Sequence, residues 1–360
     1  MKPLSGLRIL EFDGLGPVTF AGMMLADLGA EVLRLSRSAD AGAAVFSEVG
    51  GEVLHRARAT VRVNLKDPGD LARVLALVEG ADALIEGFRP GVMERLGVGP
   101  AICAGRNPRL VYGRITGWGQ SGPMANQVGH DINYIALSGA LHAMGEPDRP
   151  PRPPLNLIGD YAGGAMMLVT GILAGLLEAR TTGKGRVVDA AMTDGSALLM
   201  SLFLALEARG LWSGSRGGNL LDGGAPFYRS YGCRDGRFVA VGALEPQFYA
   251  ALIAGLGLEP DSAPQFDIPA WPAIHSRFEA IFATRDRDDW AAHFQGTDAC
   301  VTPVLTLAEA ADHPHNAARR TFVNPGTIQA APAPRFDGIP AEPIAQPAPL
   351  SLEEALGRWT

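Results

Sequence analysis

Charged residues are scarce in this sequence. They make up 19% of the 360 residues, whereas apolar residues make up 47%. The formal net charge is −7, and no long block of like charge occurs. These proportions are typical of a folded protein with a large core. They exclude a disordered chain and argue against a general nucleic-acid binder, although a local basic site for an anionic ligand stays compatible with them.

Cysteine is also rare. The three cysteines, Cys103, Cys233 and Cys300, are odd in number and widely spaced. This pattern excludes a disulfide framework and predicts reduced thiols. The two histidines of "DHPHN" lack further ligands at workable spacing, so we predict no metal site.

Long uninterrupted apolar runs are missing as well. The longest run, residues 162–177, contains four glycines and is shorter than the about 20 residues that a bilayer requires. The first residues, "MKPLSGLRILEF", show no signal-peptide core. We therefore expect a cytoplasmic protein without membrane insertion.

The N-terminal third alternates between strand and helix patterns. "LRILEF", "EVLRLSR", "ADALIEGF" and "RLVYGRITGWG" are typical of strands, and an amphipathic stretch follows the first of them. This alternation predicts an α/β fold with a doubly wound, Rossmann-like parallel sheet. Gly14 and Gly16 begin a dinucleotide fingerprint, but Thr19 stands where its third glycine belongs. A tight strand-to-helix turn is the favoured interpretation.

The length of the chain favours two domains. A smaller α+β domain is predicted after the glycine-rich "SGSRGGNLLDGG", with a hairpin turning at Asp235-Gly236. Ser351 and Glu354 form a predicted capping box for a C-terminal helix. The predicted parts are a large domain (1–190), a helix and linker (191–224), a small domain (225–312), and a proline-rich return segment whose final helix packs on the large domain (313–360).

Asp160 begins a predicted helix that runs to Arg180. Aspartate is a favoured N-cap, and the positive end of a helix holds a carboxylate ionised. Such a carboxylate can be a simple cap, a base or a nucleophile. The neighbouring glycines Gly159, Gly163 and Gly164 permit either the approach of a ligand or close helix packing.

His130 begins another apolar helical run, "DINYIAL". A lone histidine is more often a satisfied polar group than a catalyst, yet histidine is a poor N-cap. It is also the side-chain type that most readily changes charge near neutral pH. His130 and Asp160 are therefore either two helix starts or an acid and a base that face one substrate.

Over nearly its whole length, the chain resembles the class III coenzyme A (CoA) transferase superfamily, in its α-methylacyl-CoA racemase branch. The resemblance rests on "PLSGLRILEF", "LADLGAEVLRLSR", "LIEGFRPGVMERLG", "RITGWGQSGP", "GHDINYIALSGALHAMG", "LLDGGAPFY", "VAVGALEPQFY" and "DACVTPVL", and on the stretch from Pro153 to Gly195. It implies a racemase that interconverts 2-methylacyl-CoA thioesters, with His130 and Asp160 as opposing acid/base groups. Glu245 would hydrogen-bond the histidine, although Glu245 before Pro246 is also a plausible helix cap.

The same resemblance implies the substrate contacts. Arg37, Arg89 and Arg95 would bind the CoA moiety, although each is also a plausible surface arginine. The backbone amide of Asp131 would stabilise the enolate oxygen. For the acyl tail, a pocket near Tyr134 and Tyr228, with Met166 and Met167, is expected.

No added cofactor is expected, since CoA is part of the substrate. The family implies an interlocked homodimer in which each site combines the large domain of one chain with the small domain of the other. Two alternatives stay open: a class III CoA transferase that uses Asp160 as its nucleophile, and a non-catalytic acyl-CoA-binding protein.

Overall fold

The structure is a computed structural model that describes residues 2–14, 16–37 and 50–359. The strands are β1 (Arg8–Phe12), β2 (Glu31–Arg37), β3 (Ala59–Val63), β4 (Ala83–Glu86), β5 (Val111–Thr116), β6 (Val187–Ala191), β7 (Tyr228–Gly232), β8 (Phe238–Gly242), β9 (Val301–Pro303), β10 (Phe322–Val323) and β11 (Gln329–Ala330).

The α-helices are α1 (Pro17–Asp27), α2 (Gly51–His55), α3 (Pro68–Glu79), α4 (Val92–Arg95), α5 (Pro100–Arg106), α6 (Asp131–Leu137), α7 (Met166–Thr182), α8 (Met192–Leu199), α9 (Ser201–Ala208), α10 (Pro246–Gly255), α11 (Trp271–Phe282), α12 (Arg287–Phe294), α13 (Leu307–Asp312), α14 (Pro314–Arg319) and α15 (Leu352–Trp359). A π-helix (Leu157–Ala165) precedes α7, and short 3₁₀ turns cover Leu141–Ala143, Pro260–Ser262 and Ile268–Ala270.

The main sheet is parallel, with strand order β3-β2-β1-β4-β5-β6. Side chains alternate between its faces, so Ile9 packs into one apolar cluster and Leu10 into the other. The Ile9 cluster includes α1 and α7, whereas the Leu10 cluster includes α3 and α15. Helices therefore cover both faces, and the predicted α/β class with a parallel sheet is confirmed. The strand order reverses between β1 and β4, a point where open α/β sheets bind ligands.

The described chain divides into two compact units. The first contains Met1–Ala140, Pro154–Ser201 and Pro314–Thr360, and the second contains Leu141–Pro153 and Leu202–His313. In the second unit an antiparallel sheet, β7-β8-β9, packs against α10, α11 and α12 around its own aromatic-rich core. Gly236 has a φ of +75° at the turn between β7 and β8, where a side chain would be strained.

The C-terminal segment belongs to the first unit. Leu350 forms a bridge with Val61 at the edge of the sheet, and α15 buries Leu352 and Trp359 in the same core as α3. The capping box is present: the amide of Ser351 donates to Glu354, and the amide of Glu354 donates to Ser351. The chain thus returns to the sheet on which it began.

One stretch, Leu157–Thr182, is long and apolar enough to pass as a membrane span by length and composition alone. Half of its most apolar window is buried within the protein. Leu168, Ile172 and Leu176 belong to the core beside the sheet. This burial is typical of a core helix of a folded domain. Such a helix can also have the length and apolar composition of a membrane span.

Two predicted helices differ from the structure in their bounds. The helix expected over residues 160–180 begins earlier, as the π-helix, and continues to Thr182. The single helix expected at the start of the 191–224 segment is interrupted near Met200 into α8 and α9. A π turn carries no sequence signature, because only the hydrogen-bond spacing changes.

A fully buried ion pair lies beneath α1. Glu11, in β1, and Arg58 are both inaccessible to solvent and form a salt bridge. Gly22 of α1 passes directly over this pair, since a Cβ at that position would lie 2.5 Å from Nη1 of Arg58. The absence of a side chain at Gly22 therefore lets the helix cover the pair.

We expect Gly22→Ala to lower the free energy of unfolding by about 3 kcal/mol or more, because the methyl group would separate a buried pair. Gly105→Ala is the matched control, since Gly105 also lies in a helix but a Cβ there meets nothing within 4 Å. The free energy of unfolding of Gly105→Ala is expected to be unchanged or to rise by up to about 1 kcal/mol. Urea unfolding followed by circular dichroism measures both, and equal stabilities would contradict the packing argument.

Candidate active site

A cavity of about 670 Å³ lies at the carboxyl ends of the central strands. The loops after β1, β4 and β5 all contribute to it, so it lies at the point where the strand order reverses. It is lined by Gly14, Gly16, Pro17, Val18, Thr19, Leu54, Gly87, Phe88, Arg89, Pro90, Ile115, Thr116, Gly117, Trp118, Ala125, Gln127, Val128, Gly129, His130, Tyr134, Asn156, Asp160, Tyr161 and Met192. His130 and Asp160 thus line one cavity.

His130 is the N-cap residue of α6 and is exposed to solvent. Its backbone amide donates to Oδ1 of Asn133 at 3.0 Å. The hydroxyl of Tyr134 donates to the carbonyl oxygen of Gly129, and the Tyr134 ring meets Trp118 edge-on with centroids 4.8 Å apart. The backbone on both sides of His130 is therefore held, while its imidazole stays accessible from the cavity.

Asp160 lies inside the π-helix and does not cap it, since the N-cap residue is Asn156. The prediction that Asp160 begins a helix is therefore wrong. Oδ2 of Asp160 accepts a hydrogen bond from the Asn156 side-chain amide at 3.1 Å. The backbone amide of Asp160 donates to Oδ1 of Asp131 at 2.7 Å.

The electrostatics of Asp160 also differ from the expectation. Burial raises the pKa of its carboxyl, and the negative charge of Asp131 acts in the same direction. The hydrogen bond from Asn156 and the charge of His130 oppose this rise. This direction is opposite to the stabilisation of the charged form that a helix end was expected to give, because desolvation outweighs the favourable interactions.

The glycines around Asp160 serve close packing. A Cβ at Gly163 would lie 2.8 Å from the backbone nitrogen of Ser196 in α8, and one at Gly159 would lie 2.5 Å from Oδ1 of Asp131. At Gly164 it would lie 2.8 Å from Cγ of Met192. Of the two interpretations left open by the sequence, helix packing is the one that the contacts support. The glycine that faces the Asp160 carboxylate is Gly16, after β1.

Asp131 connects the two candidate acid/base groups. It follows His130 directly, and its buried side chain accepts the amide hydrogen of Asp160. Its other oxygen, Oδ2, is buried without a hydrogen-bond partner among the described residues. The backbone position of His130 is thus linked to that of Asp160 through one carboxylate.

Of the three arginines expected to bind CoA, one lies at the cavity. Arg89, in the loop between β4 and α4, is exposed and lines it. Its guanidinium forms no hydrogen bond or ion pair with the described part of the chain. Arg37, at the end of β2, and Arg95, at the end of α4, are exposed and do not line it. Residues 38–49, which follow Arg37, lie outside the described residues.

The expected acyl pocket is reproduced only in part. Tyr134 lines the cavity, and burial raises its pKa to about 12, so its hydroxyl stays protonated. Met166 and Met167 are not among the lining residues. Tyr228 lies in β7 of the second unit. Met192, which the sequence analysis did not single out, supplies a flexible apolar wall instead.

Asn156 and Trp118 are two further site residues that sequence analysis missed. Asn156 hydrogen-bonds Asp160, and Trp118 packs on Tyr134. Asn156 lies four residues before Asp160, which is a recognisable spacing once the segment is known to be helical. Trp118 lies at the carboxyl end of the stretch predicted as a strand, "RLVYGRITGWG", and that position was the available signal.

Glu245 lies in the second unit as the N-cap residue of α10, but its side chain makes no capping hydrogen bond. It is exposed, and its carboxylate forms no hydrogen bond or salt bridge with residues 2–14, 16–37 or 50–359. The interpretation of Glu245 as only a helix cap is therefore unsupported by the geometry. Over the same described ranges, no group of three or more histidine, cysteine or acidic side chains could hold a metal ion.

The sequence matches CoA-transferase family III over residues 4–352. It is 44% identical to alpha-methylacyl-CoA racemase of Mus musculus over 349 residues, which cover 96% of this chain and 90% of the mouse protein. Alpha-methylacyl-CoA racemase of Homo sapiens is also 44% identical, over 94% of this chain and 88% of that protein.

In fold, the chain resembles the crystal structure of a CAIB/BAIF family protein from Brucella suis, with a TM-score of 0.81 at 23% sequence identity. The likeness covers 99% of this chain and 98% of that one. The resemblance predicted from the sequence motifs is thus confirmed. The chain belongs to CoA-transferase family III.

Proposed function

We propose that this protein is an α-methylacyl-CoA racemase, an isomerase that interconverts (R)- and (S)-2-methylacyl-CoA thioesters. The observation that carries the proposal is that His130 and Asp160 line the same cavity. The 44% identity to two racemases, over nearly the whole chain, supports the same activity.

The reaction moves one proton. A base removes the α-hydrogen as a proton, the electron pair of the C–H bond forms a C=C bond to the thioester carbon, and the π pair of the C=O bond moves to oxygen, giving an enolate. An acid on the opposite face then returns a proton to the α-carbon, which inverts the centre. Two different groups suit this task, because each is left in the protonation state that the reverse direction requires. No added cofactor takes part, and CoA stays attached to the substrate.

His130 and Asp160 fit these two roles. The raised pKa of Asp160 brings a carboxyl group closer to the working pH, so it both accepts and returns a proton more readily than an exposed aspartate. The exposed imidazole of His130 is the second group. A stabilising donor for the enolate oxygen, predicted to be the backbone amide of Asp131, completes the chemistry.

Arg89 is our candidate for binding the nucleotide phosphates of CoA. Its guanidinium lines the cavity and has no partner among the described residues, so it is available to an anion. The roles of Arg37 and Arg95 in CoA binding stay predictions from the family resemblance.

A homodimer is proposed as the working form. In α9 no residue is buried, and Leu202 and Leu204 are 55% and 59% exposed. Leu198 in α8 is 61% exposed. An apolar helix with no buried residue, as α9 is, supports a surface that a partner covers. In such a dimer, the free carboxylate of Glu245 would orient His130 of the partner chain.

Single-site variants test the two-base mechanism in deuterated buffer. His130→Ala and Asp160→Ala should each abolish racemisation, because one face loses its proton carrier. Each should still exchange the α-hydrogen of one enantiomer with retention, at rates lowered by about 10²–10⁴-fold. The two variants should prefer opposite enantiomers, measured by mass spectrometry and chiral separation. A shared preference would instead favour Asp160 as a transferase nucleophile.

Subunit mixing tests the placement of Glu245. Co-expressed His130→Ala and Glu245→Gln chains should form a heterodimer with one intact site, and the heterodimer, isolated by two different affinity tags, should regain about half of the parent activity. Co-expressed His130→Ala and Asp160→Ala chains are the control, since both lesions lie in the first unit and every site then carries one of them. If the first pair stays as inactive as the control, Glu245 does not act across a dimer.

Asp131→Asn tests the electrostatic coupling at Asp160, whose surroundings are Asn156, Asp131, His130 and Tyr134. The asparagine oxygen still accepts the Asp160 amide hydrogen, but a negative charge is lost. The pKa of Asp160 should fall, so ionised Asp160 should persist to lower pH. The acid limb of kcat/KM, for the direction in which Asp160 is the base, should move to lower pH.

Asp189→Asn is the matched control for this pH experiment. Asp189 also accepts a backbone amide hydrogen, from Gln120 at 2.9 Å, but it is not among the charges that act on Asp160. Its pH profile should stay unchanged. A shift of the acid limb to higher pH in Asp131→Asn would contradict the assigned sign.

A further inference from the structure

The loop that carries Arg89 is held at both ends by one buried arginine. Arg114, in β5, is 6% exposed and lies beside Glu86 of β4 in the sheet register. Its Nε donates to Oε1 of Glu86 at 2.7 Å. Its Nη1 and Nη2 donate to the two carboxylate oxygens of Glu94 in α4, at 2.8 and 3.3 Å. Glu86 precedes the loop and Glu94 follows it.

The middle of the same loop is held by the second oxygen of Glu86. Oε2 accepts the backbone amide hydrogen of Phe88 at 2.7 Å, directly before Arg89. The carbonyl oxygen of Arg89 accepts the amide hydrogen of Val92 at 3.1 Å. The backbone on each side of Arg89 is therefore fixed, while its side chain is left without a partner in the described part of the chain.

The residue types match this role. A guanidinium offers donors in a rigid planar fork, so one arginine reaches two carboxylates at once, which the single ammonium of a lysine does less well. Glu86 is fully buried, and burial raises the pKa of its carboxyl, whereas the hydrogen bonds from Phe88 and Arg114 oppose that rise. A buried carboxylate on which an arginine and a backbone amide converge fixes geometry, because neither donor has water as an alternative.

We propose that Arg114, through Glu86 and Glu94, is a positioning residue for CoA binding: it holds the 87–90 loop so that the Arg89 guanidinium faces the nucleotide phosphates. This inference rests on the proposed role of Arg89. Arg114 itself is absent from the residues that line the cavity, so it acts through the loop. The loop residues Gly87, Phe88 and Pro90 line the cavity beside Arg89.

The test compares Arg114→Lys with the parent enzyme on two substrates, a 2-methylacyl-CoA and the same acyl group on pantetheine. The KM for acyl-CoA should rise about tenfold, the scale of one charge-assisted hydrogen bond. The KM for the pantetheine thioester, and kcat for both substrates, should stay within about twofold. Calorimetry with CoA alone gives a second readout that does not depend on turnover.

A double-variant cycle shows whether Arg114 acts through Arg89. Arg89→Ala should by itself weaken CoA binding, and adding Arg114→Lys in that background should change the Kd no further. Additive losses would overturn the inference, as would an equal rise in KM for both substrates. If Arg89→Ala leaves CoA binding unchanged, the Arg89 assignment and this inference both fail, while measured racemisation would still support the proposed function.

Two more variants guard against loss of folding. Arg56→Lys is the matched control, since Arg56 forms a buried pair with Asp27 and neither residue lines the cavity. Arg56→Lys should lower the free energy of unfolding without raising the KM for acyl-CoA. Glu94→Gln removes only the half-exposed partner of Arg114, so it should fold if Arg114→Lys does not. It should raise the KM for acyl-CoA in the same selective way by a smaller factor, and an unchanged KM would overturn the inference.

Discussion

The position of Asp160 depends on two glycines of the π-helix whose neighbours approach too closely for either position to carry a side chain. Gly163 of the π-helix meets the backbone of α8, and Gly159 meets the carboxylate of Asp131. Each contact leaves no room for a Cβ. Gly159 and Gly163 lie four residues apart in the π-helix, so the two contacts fix how the helix packs on both sides of Asp160 in the sequence. The widened π turn and the glycines are thus parts of one constraint, consistent with the frequent occurrence of π turns at functional sites.

Buried ion pairs add a second layer of constraint. Glu11 pairs with Arg58 beneath α1, and Glu86 pairs with Arg114 at the carboxyl edge of the sheet. Compared with well-packed apolar residues, such pairs add little net stability, but each is costly to break. Their main effect is therefore to define geometry. Glu11 determines where α1 lies on the sheet, and Glu86 determines where the loop before α4 enters the cavity.

The chemistry of the site follows from unequal solvation. His130 stands at the exposed start of α6, whereas Asp160 is partly withdrawn from water beside Asp131. Withdrawal from water makes the charged form of a carboxyl less favourable, which makes it a stronger base once ionised. The free guanidinium of Arg89 lies at the same cavity, where an anionic CoA chain would pass. Under the proposed function, a neutral acyl group and a charged nucleotide would meet surfaces of different polarity.

Local sequence patterns were enough to predict the parallel sheet, the helices around it and the family. Strand and helix patterns are local, and the motifs around His130, Asp160 and Glu245 are continuous stretches. The sequence also identified His130 at the start of α6 and the capping box of Ser351 and Glu354. The remaining features of the site required the folded structure. It placed Asp160 within a π-helix, reversed the expected direction of its pKa shift, and joined Asp131 to it across 29 residues of chain. Desolvation and long-range hydrogen bonds depend on which atoms exclude water around a group, and no local pattern records that.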